Sequence, residues 1–140
     1  MAELRLGNPR EPARRCTVND AVVDTGASIT CIPGTLADGL FRAKEIHLKV
    51  MARIFKEEPT LASLRGFVPI SLETAGSAED VQVGKKIGLQ FCNASGRVWY
   101  EKKLVAAFIP GLSHLIVGTD ILYGLALFLP KGGAGGVLFK

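Results

Sequence analysis

Asp24 sits between the apolar run Ala21-Val22-Val23 and a turn written Thr25-Gly26, and a second apolar run, Ile29 to Ile32, carries the chain away. At the end of a buried strand a carboxylate loses solvation, which disfavours its charged form. Gly26 lets the backbone come close to that carboxylate. Thr25 adds a hydroxyl able to reach across a short gap. Two carboxylates held close enough to share one proton act as a base toward water and an acid toward a carbonyl. The alternative is structural: a polar turn between two core strands, with Asp24 accepting local N–H groups. The tetrapeptide Asp24–Ala27 alone does not separate the two.

The flanks do more. Val22-Val23 precedes the aspartate and Ser28-Ile29-Thr30-Cys31-Ile32 follows it. Near the other end, in LIVGTDIL over residues 115–122, Ile116 and Val117 run into Gly118 ahead of a short helical stretch. These two segments resemble, in the right order, the two hallmarks of the retropepsin-like (retroviral-type) aspartic proteases. The resemblance spans residues 15–140.

That resemblance implies an all-β fold of the closed, barrel-type kind, one lobe per chain, with a flap hairpin and one short C-terminal helix. It implies Asp24 as the catalytic residue, supported in its loop by Thr25, Gly26 and Ala27. Thr74, Ala75, Gly76, Ser77 and Ala78 would form the flap tip over bound peptide, and Ile116, Val117 and Gly118 the second hallmark. Only Asp24 has an Asp-Thr-Gly context: Asp38 directly precedes a glycine, and Asp20, Asp80 and Asp120 lack the turn. The second carboxylate must therefore come from a second chain, which makes the expected enzyme a homodimer with its two Asp24 side chains meeting on the two-fold axis. Thr25 would hydrogen-bond across to the opposite loop, and the terminal strands of both subunits would interleave in one sheet. The implied activity is endopeptidase cleavage of a peptide or protein substrate, with no cofactor and no metal. Viral enzymes pair an arginine after the second hallmark's glycine with an aspartate just after the active-site loop; Thr119 and Ser28 stand there in this chain. Gly118-Thr119-Asp120 suits the cellular and bacterial relatives better. Pepsin-like enzymes commonly place serine where Ala27 stands. The competing reading is a catalytically silent dimerisation or peptide-binding module on the same fold.

The elements that must position these residues are read from periodicity and turn chemistry. Residues 1–14 carry charges, Pro9 and Pro12 without sustained alternation, and read as a mobile arm ahead of the domain at 15–140. Cys16-Thr17-Val18 reads as a strand turning at Asn19-Asp20 into Ala21–Asp24. Pro33-Gly34 ends the strand after the active-site loop. Between 35 and 64 the pattern is ambiguous: Ile46, Leu48 and Val50 alternate, while Ile46, Val50 and Ile54 share a helical face. A helix over Ala43–Lys56 is expected, then a loop at Glu57-Glu58-Pro59. Phe67–Leu72 reads as a strand and Val81–Phe91 as another, interrupted at Gly84, with the polar flap segment between them. Further strands are expected at Val98–Tyr100, Leu104–Ile109, Leu115–Val117, Leu125–Leu129 and Val137–Phe139. Asp120 is expected to cap a brief helix through Tyr123.

Composition bounds the remaining choices. The 140 residues suit one domain, 48% of them are apolar, and 16 glycines with 7 prolines favour the tight turns of a β-rich chain. No run reaches the ~18–20 apolar residues of a membrane span, and no secretory h-region follows the N-terminus. Cys16, Cys31 and Cys92 are odd in number and fit no metal-ligand spacing, so a reducing, cytoplasmic setting is expected. The net charge is +4, scattered apart from Arg10, Arg14 and Arg15 and the pairs Lys85-Lys86 and Lys102-Lys103. Of the aromatics only Trp99 and Tyr100 lie near a basic pair, so no nucleic-acid partner is expected. His47 and His114 suggest no nucleophile–histidine pair.

Overall fold

The computed structural model describes residues 3–61, 63–72, 80–123, 126–128 and 137–139. The chain opens with two strands, β1 (Glu3–Asn8) and β2 (Glu11–Val18), paired antiparallel from Leu4↔Val18 to Gly7↔Arg15. The turn between them is held by the Asn8 side chain, whose Oδ1 accepts the N–H groups of Arg10 at 2.9 Å and Glu11 at 3.3 Å. Residues 3–14 are thus part of the sheet rather than a mobile arm. Leu4 and Leu6 are fully buried; alternating with Arg5 and Gly7, they make a strand too short and too charged at its flanks to stand out as one.

The remaining elements in chain order are β3 (Val22–Val23), β4 (Cys31–Pro33), α1 (Leu36–Phe41), α2 (Glu45–Glu57), β5 (Val68–Leu72), β6 (Asp80–Cys92), β7 (Val98–Ile109), β8 (Ile116–Val117), α3 (Thr119–Leu122), β9 (Ala126–Phe128) and β10 (Val137–Phe139). The protein is mostly β. Its main sheet is mixed and open, in the order β2-β1-β6-β7-β4-β8-β3. A closed barrel was expected; among the described residues the two end strands, β2 and β3, are not joined. Long β6 serves two neighbours along one edge, β5 over Asp80–Gly84 and β1 over Gly88–Cys92. Its other edge pairs with β7 from Val83↔Phe108 to Cys92↔Val98. β9 and β10 form a separate antiparallel ladder.

Three local expectations change. The hairpin through Asn19-Asp20 is not formed, because β2 returns to β1 and β3 pairs in parallel with β8 (Val22↔Ile116, Val23↔Val117). β6 runs through Gly84 without a break, and β7 joins into one strand what read as two. Lys102 and Lys103 interrupt the apolar pattern there without interrupting the ladder, pairing with Leu89 and Gly88. α1 was not anticipated at all.

The helix expected over Ala43–Lys56 is present as α2, but it buries a different face. Leu48, Met51 and Phe55 point inward, whereas Ile46 is 62% and Val50 50% exposed. The Lys44 N–H donates to His47 Nδ1 at 2.9 Å, closing the first turn. α2 packs on β6, whose Val83, Ile87, Leu89 and Phe91 are buried, and the core continues through Leu4, Leu6, Ile32, Phe108 and Leu115. Phe41 meets Phe67 and Phe108 edge-on, with ring centres 5.9 and 5.7 Å apart. Among the described residues no helix is long and apolar enough to cross a membrane, and the three cysteines are free thiols.

Candidate functional site

Parallel pairing of β3 and β8 places the C-terminal ends of both strands side by side. Asp24 follows one end and Gly118 the other. The backbone joins them directly: Val22 N–H donates to the Leu115 carbonyl at 2.8 Å and Asp24 N–H to the Val117 carbonyl at 3.0 Å. One step further, Thr119 N–H donates to the Ala27 carbonyl at 2.8 Å. The two segments singled out in the sequence, Asp24–Ala27 and Ile116–Gly118, therefore form one site.

Gly118 makes this closeness possible. A Cβ there would stand 2.7 Å from the Ile29 carbonyl carbon and 2.9 Å from the Ala27 carbonyl oxygen, and backbone atoms of a packed loop cannot step aside cheaply. Gly26 works similarly on a smaller scale. Its N–H donates to Asp24 Oδ1 at 2.8 Å, and a Cβ would press on that same oxygen at 3.1 Å. The turn closes with Ala27 N–H donating to the Asp24 carbonyl at 3.2 Å.

A second lattice of bonds lies beneath the loop. Thr30, on the way into β4, is the one fully buried polar residue among those described. Its N–H and hydroxyl both donate to the Asp120 carboxylate, at 2.9 and 2.7 Å. The same hydroxyl accepts the Gly118 N–H at 3.2 Å. Asp120 was expected to cap α3; instead Gly118 holds the N-cap position and makes no side-chain cap bond, while the Asp120 side chain reaches back across 90 residues of sequence. Among the described residues no ion pair involves Ser28 or Thr119. Thr30 with Asp120 links the same two segments. Lys102 adds a donor from its Nζ to the Asp120 carbonyl at 2.7 Å.

The aspartate itself is not desolvated in one chain. Asp24, Thr25 and Gly26 are exposed and Ala27 half-buried; among the described residues β3 is the last strand of the sheet and has a neighbour on one side only. Just behind the loop, burial pushes the Cys31 thiol up, and the charges of Asp120 and Asp24 push it further. The Tyr100 hydroxyl is raised by burial and by Asp120.

The flap residues Thr74, Ala75, Gly76, Ser77 and Ala78 lie outside the described residues. On either side of them β5 and β6 pair antiparallel as far as Leu72↔Asp80. Neither histidine joins the site. His47 caps α2, and the exposed His114 has its Nε2 3.9 Å from Asp20 Oδ2. Sequence reasoning missed Thr30, for which the one signal was a hydroxyl residue inside the apolar run Ile29 to Ile32. No protein-family model matches the chain, and no curated protein matches it.

Proposed function

We propose that the chain is an aspartic endopeptidase of the retropepsin-like type, active as a homodimer in which each subunit contributes Asp24. The observation that carries this reading is the hydrogen-bonded frame that ties the Asp24 loop to Gly118 while leaving the Asp24 carboxylate exposed. A loop built merely to turn would not need Thr30 and Asp120 beneath it. The uncovered apolar surface near that edge supports a second copy docking there: Val22 is 48% exposed and Tyr123 80%.

In the dimer the two carboxylates share one proton, since close like charges do not both ionise. The ionised one takes a proton from a water between them as the water oxygen bonds to the scissile carbonyl carbon. The protonated one gives its proton to the carbonyl oxygen, and a tetrahedral diol results. Return of a proton to the amide nitrogen then breaks the C–N bond and releases a carboxyl and an amine. Thr25 bonds across the axis and steadies the facing loops.

Cleavage of a peptide library by the purified chain tests the proposal. Asp24→Asn is expected to keep the fold and lower turnover by about 10²–10⁴-fold, the range for loss of a general acid–base group. Inhibition by a statine-type peptide with a central hydroxyl is expected as well. A folded dimer that cleaves nothing would leave the silent peptide-binding module as the function; Asp24→Asn cleaving at the wild-type rate would move the chemistry elsewhere.

A further inference from the structure

Lys85 occupies a row of β6 side chains that otherwise point into the core, between the buried Val83 and Ile87. Its Nζ lies 4.8 Å from the Phe67 ring centre and 5.4 Å from that of Phe41, with the Arg65 carbonyl oxygen at 3.5 Å. A half-buried ammonium ordinarily finds a carboxylate. None of the ion pairs among the described residues includes Lys85. Its surroundings add positive charge instead. The ammonium opens into a cleft of about 330 Å³ whose lining includes Arg10, Arg14, Arg42, Arg65 and Lys86, with Glu11 as the one carboxylate. Arg14 already holds that carboxylate at 2.7 Å. Burial, and then the charge of Arg10, pushes Lys85 below the ordinary lysine value.

Two of these arginines also hold an uncommon backbone. Arg42 (φ 56°) and Arg65 (φ 53°) are the non-glycine residues with positive φ among those described. L side chains are disfavoured there and glycine is not. Arg42 stands just past the end of α1, where glycine is the common choice. Arg65 directly precedes Gly66, whose missing Cβ would meet Lys85 Nζ. The chain thus keeps arginine at two strained positions, both on the rim of one basic cleft.

We propose that this cleft binds a compact polyanion carrying two or more phosphate groups. Crowded cations in a concave, partly desolvated surface repel one another, and an anion seated between them removes that repulsion. Guanidinium forks match phosphate oxygens in pairs. The cleft is walled by the β1–β2 turn, the end of α1, the Arg65-Gly66 turn and β6, a shape suited to a small molecule rather than an extended strand. In the sheet order it lies four strand spacings from β3, or roughly 19 Å at about 4.8 Å each, so the proposal does not depend on how Asp24 is used.

Calorimetric titration of the full chain with orthophosphate, pyrophosphate and tripolyphosphate at fixed ionic strength is the test. Saturable one-to-one binding that tightens along that series is expected. The double variant Arg42→Gly/Arg65→Gly removes two cations and relaxes two backbones, so binding should weaken at least tenfold while the melting temperature holds or rises. Arg10→Gln, at an exposed turn, should weaken binding in the same direction without touching either strained backbone. No saturable binding, or unchanged affinity in these variants, would overturn the proposal. Tighter binding of a single-stranded RNA oligonucleotide or of a poly-glutamate peptide than of tripolyphosphate would overturn it too, in favour of that polymer.

Discussion

Thr30 carries no charge and touches no solvent, yet three hydrogen bonds of the site pass through it. Thr30→Val keeps the shape and removes the hydroxyl, leaving Asp120 Oδ1 and the Gly118 N–H short of a partner. A buried group left unpaired costs about 1–3 kcal/mol. Denaturant unfolding should show a loss of that size, with Thr30→Ser retaining most of the stability; a valine variant as stable as wild type would deny the hydroxyl its bridging role. Asp24 and Gly118 were legible because each sits in a local pattern. Thr30 and Asp120 were not, because nothing local tells a hydroxyl which carboxylate will arrive from 90 residues away. Cys31 gives a pH-dependent prediction. The fold favours its neutral thiol, through burial first and then through Asp120 and Asp24, so its folded pKa lies above the unfolded one. Its stabilising contribution is full below the ordinary thiol value of 9.0 and is lost as pH rises through the raised value. Unfolding free energies measured from neutral to alkaline pH should fall for the wild type and fall less for Cys31→Ala. Equal slopes would mean that this thiol plays no part in the alkaline loss.

At the scale of elements, α2 shows why a helix can be foreseen without its orientation. Two interleaved sets fit the sequence, Ile46/Val50/Ile54 and Leu48/Met51/Phe55, and only the neighbour decides between them. Packing on β6 buries the second set. Leu48→Ala should therefore cost about 2–5 kcal/mol, as large-to-small core changes do, whereas Val50→Ala should stay within about 0.5 kcal/mol, as exposed substitutions do. Similar losses at both positions would place the helix in the wrong rotation. The strands tell the same story from the other side. β8 and β10 were readable because an apolar run ends in Gly118 in one case and follows a glycine-rich stretch of sequence in the other. The end of β2 at Cys16–Val18 was readable too; β1, the start of β2 and the middle of β7 were not, because arginines and lysines on their outer faces mask a ladder that the backbone keeps. The parallel partner of β3 was misassigned because adjacency in sequence favours a hairpin, and β2 was already engaged by β1.

For the whole molecule the decisive fact is that one chain supplies one Asp-Thr-Gly and leaves it at the end of what is, among the described residues, the last strand of an open sheet. A single exposed carboxylate offers water nothing that bulk solvent lacks, so the proposed chemistry requires two chains. Activity should then follow dimer concentration, not chain concentration. Well below the dissociation constant the dimeric fraction is proportional to total protein, so specific activity should fall in proportion on dilution. Mixing provides a sharper test. Asp24→Asn keeps the surface that pairs and lacks the acid–base group, so exchange with wild type makes mixed dimers with one carboxylate. At a fixed amount of wild type, above the dissociation constant, an equal amount of the variant should lower activity to about half, and a tenfold excess to about a tenth or a little less. Sedimentation would follow the dimer alongside the cleavage rate. A monomer whose activity per chain is constant on dilution, or a wild-type activity untouched by excess variant, would show that one Asp24 suffices and that the pair mechanism does not describe this protein.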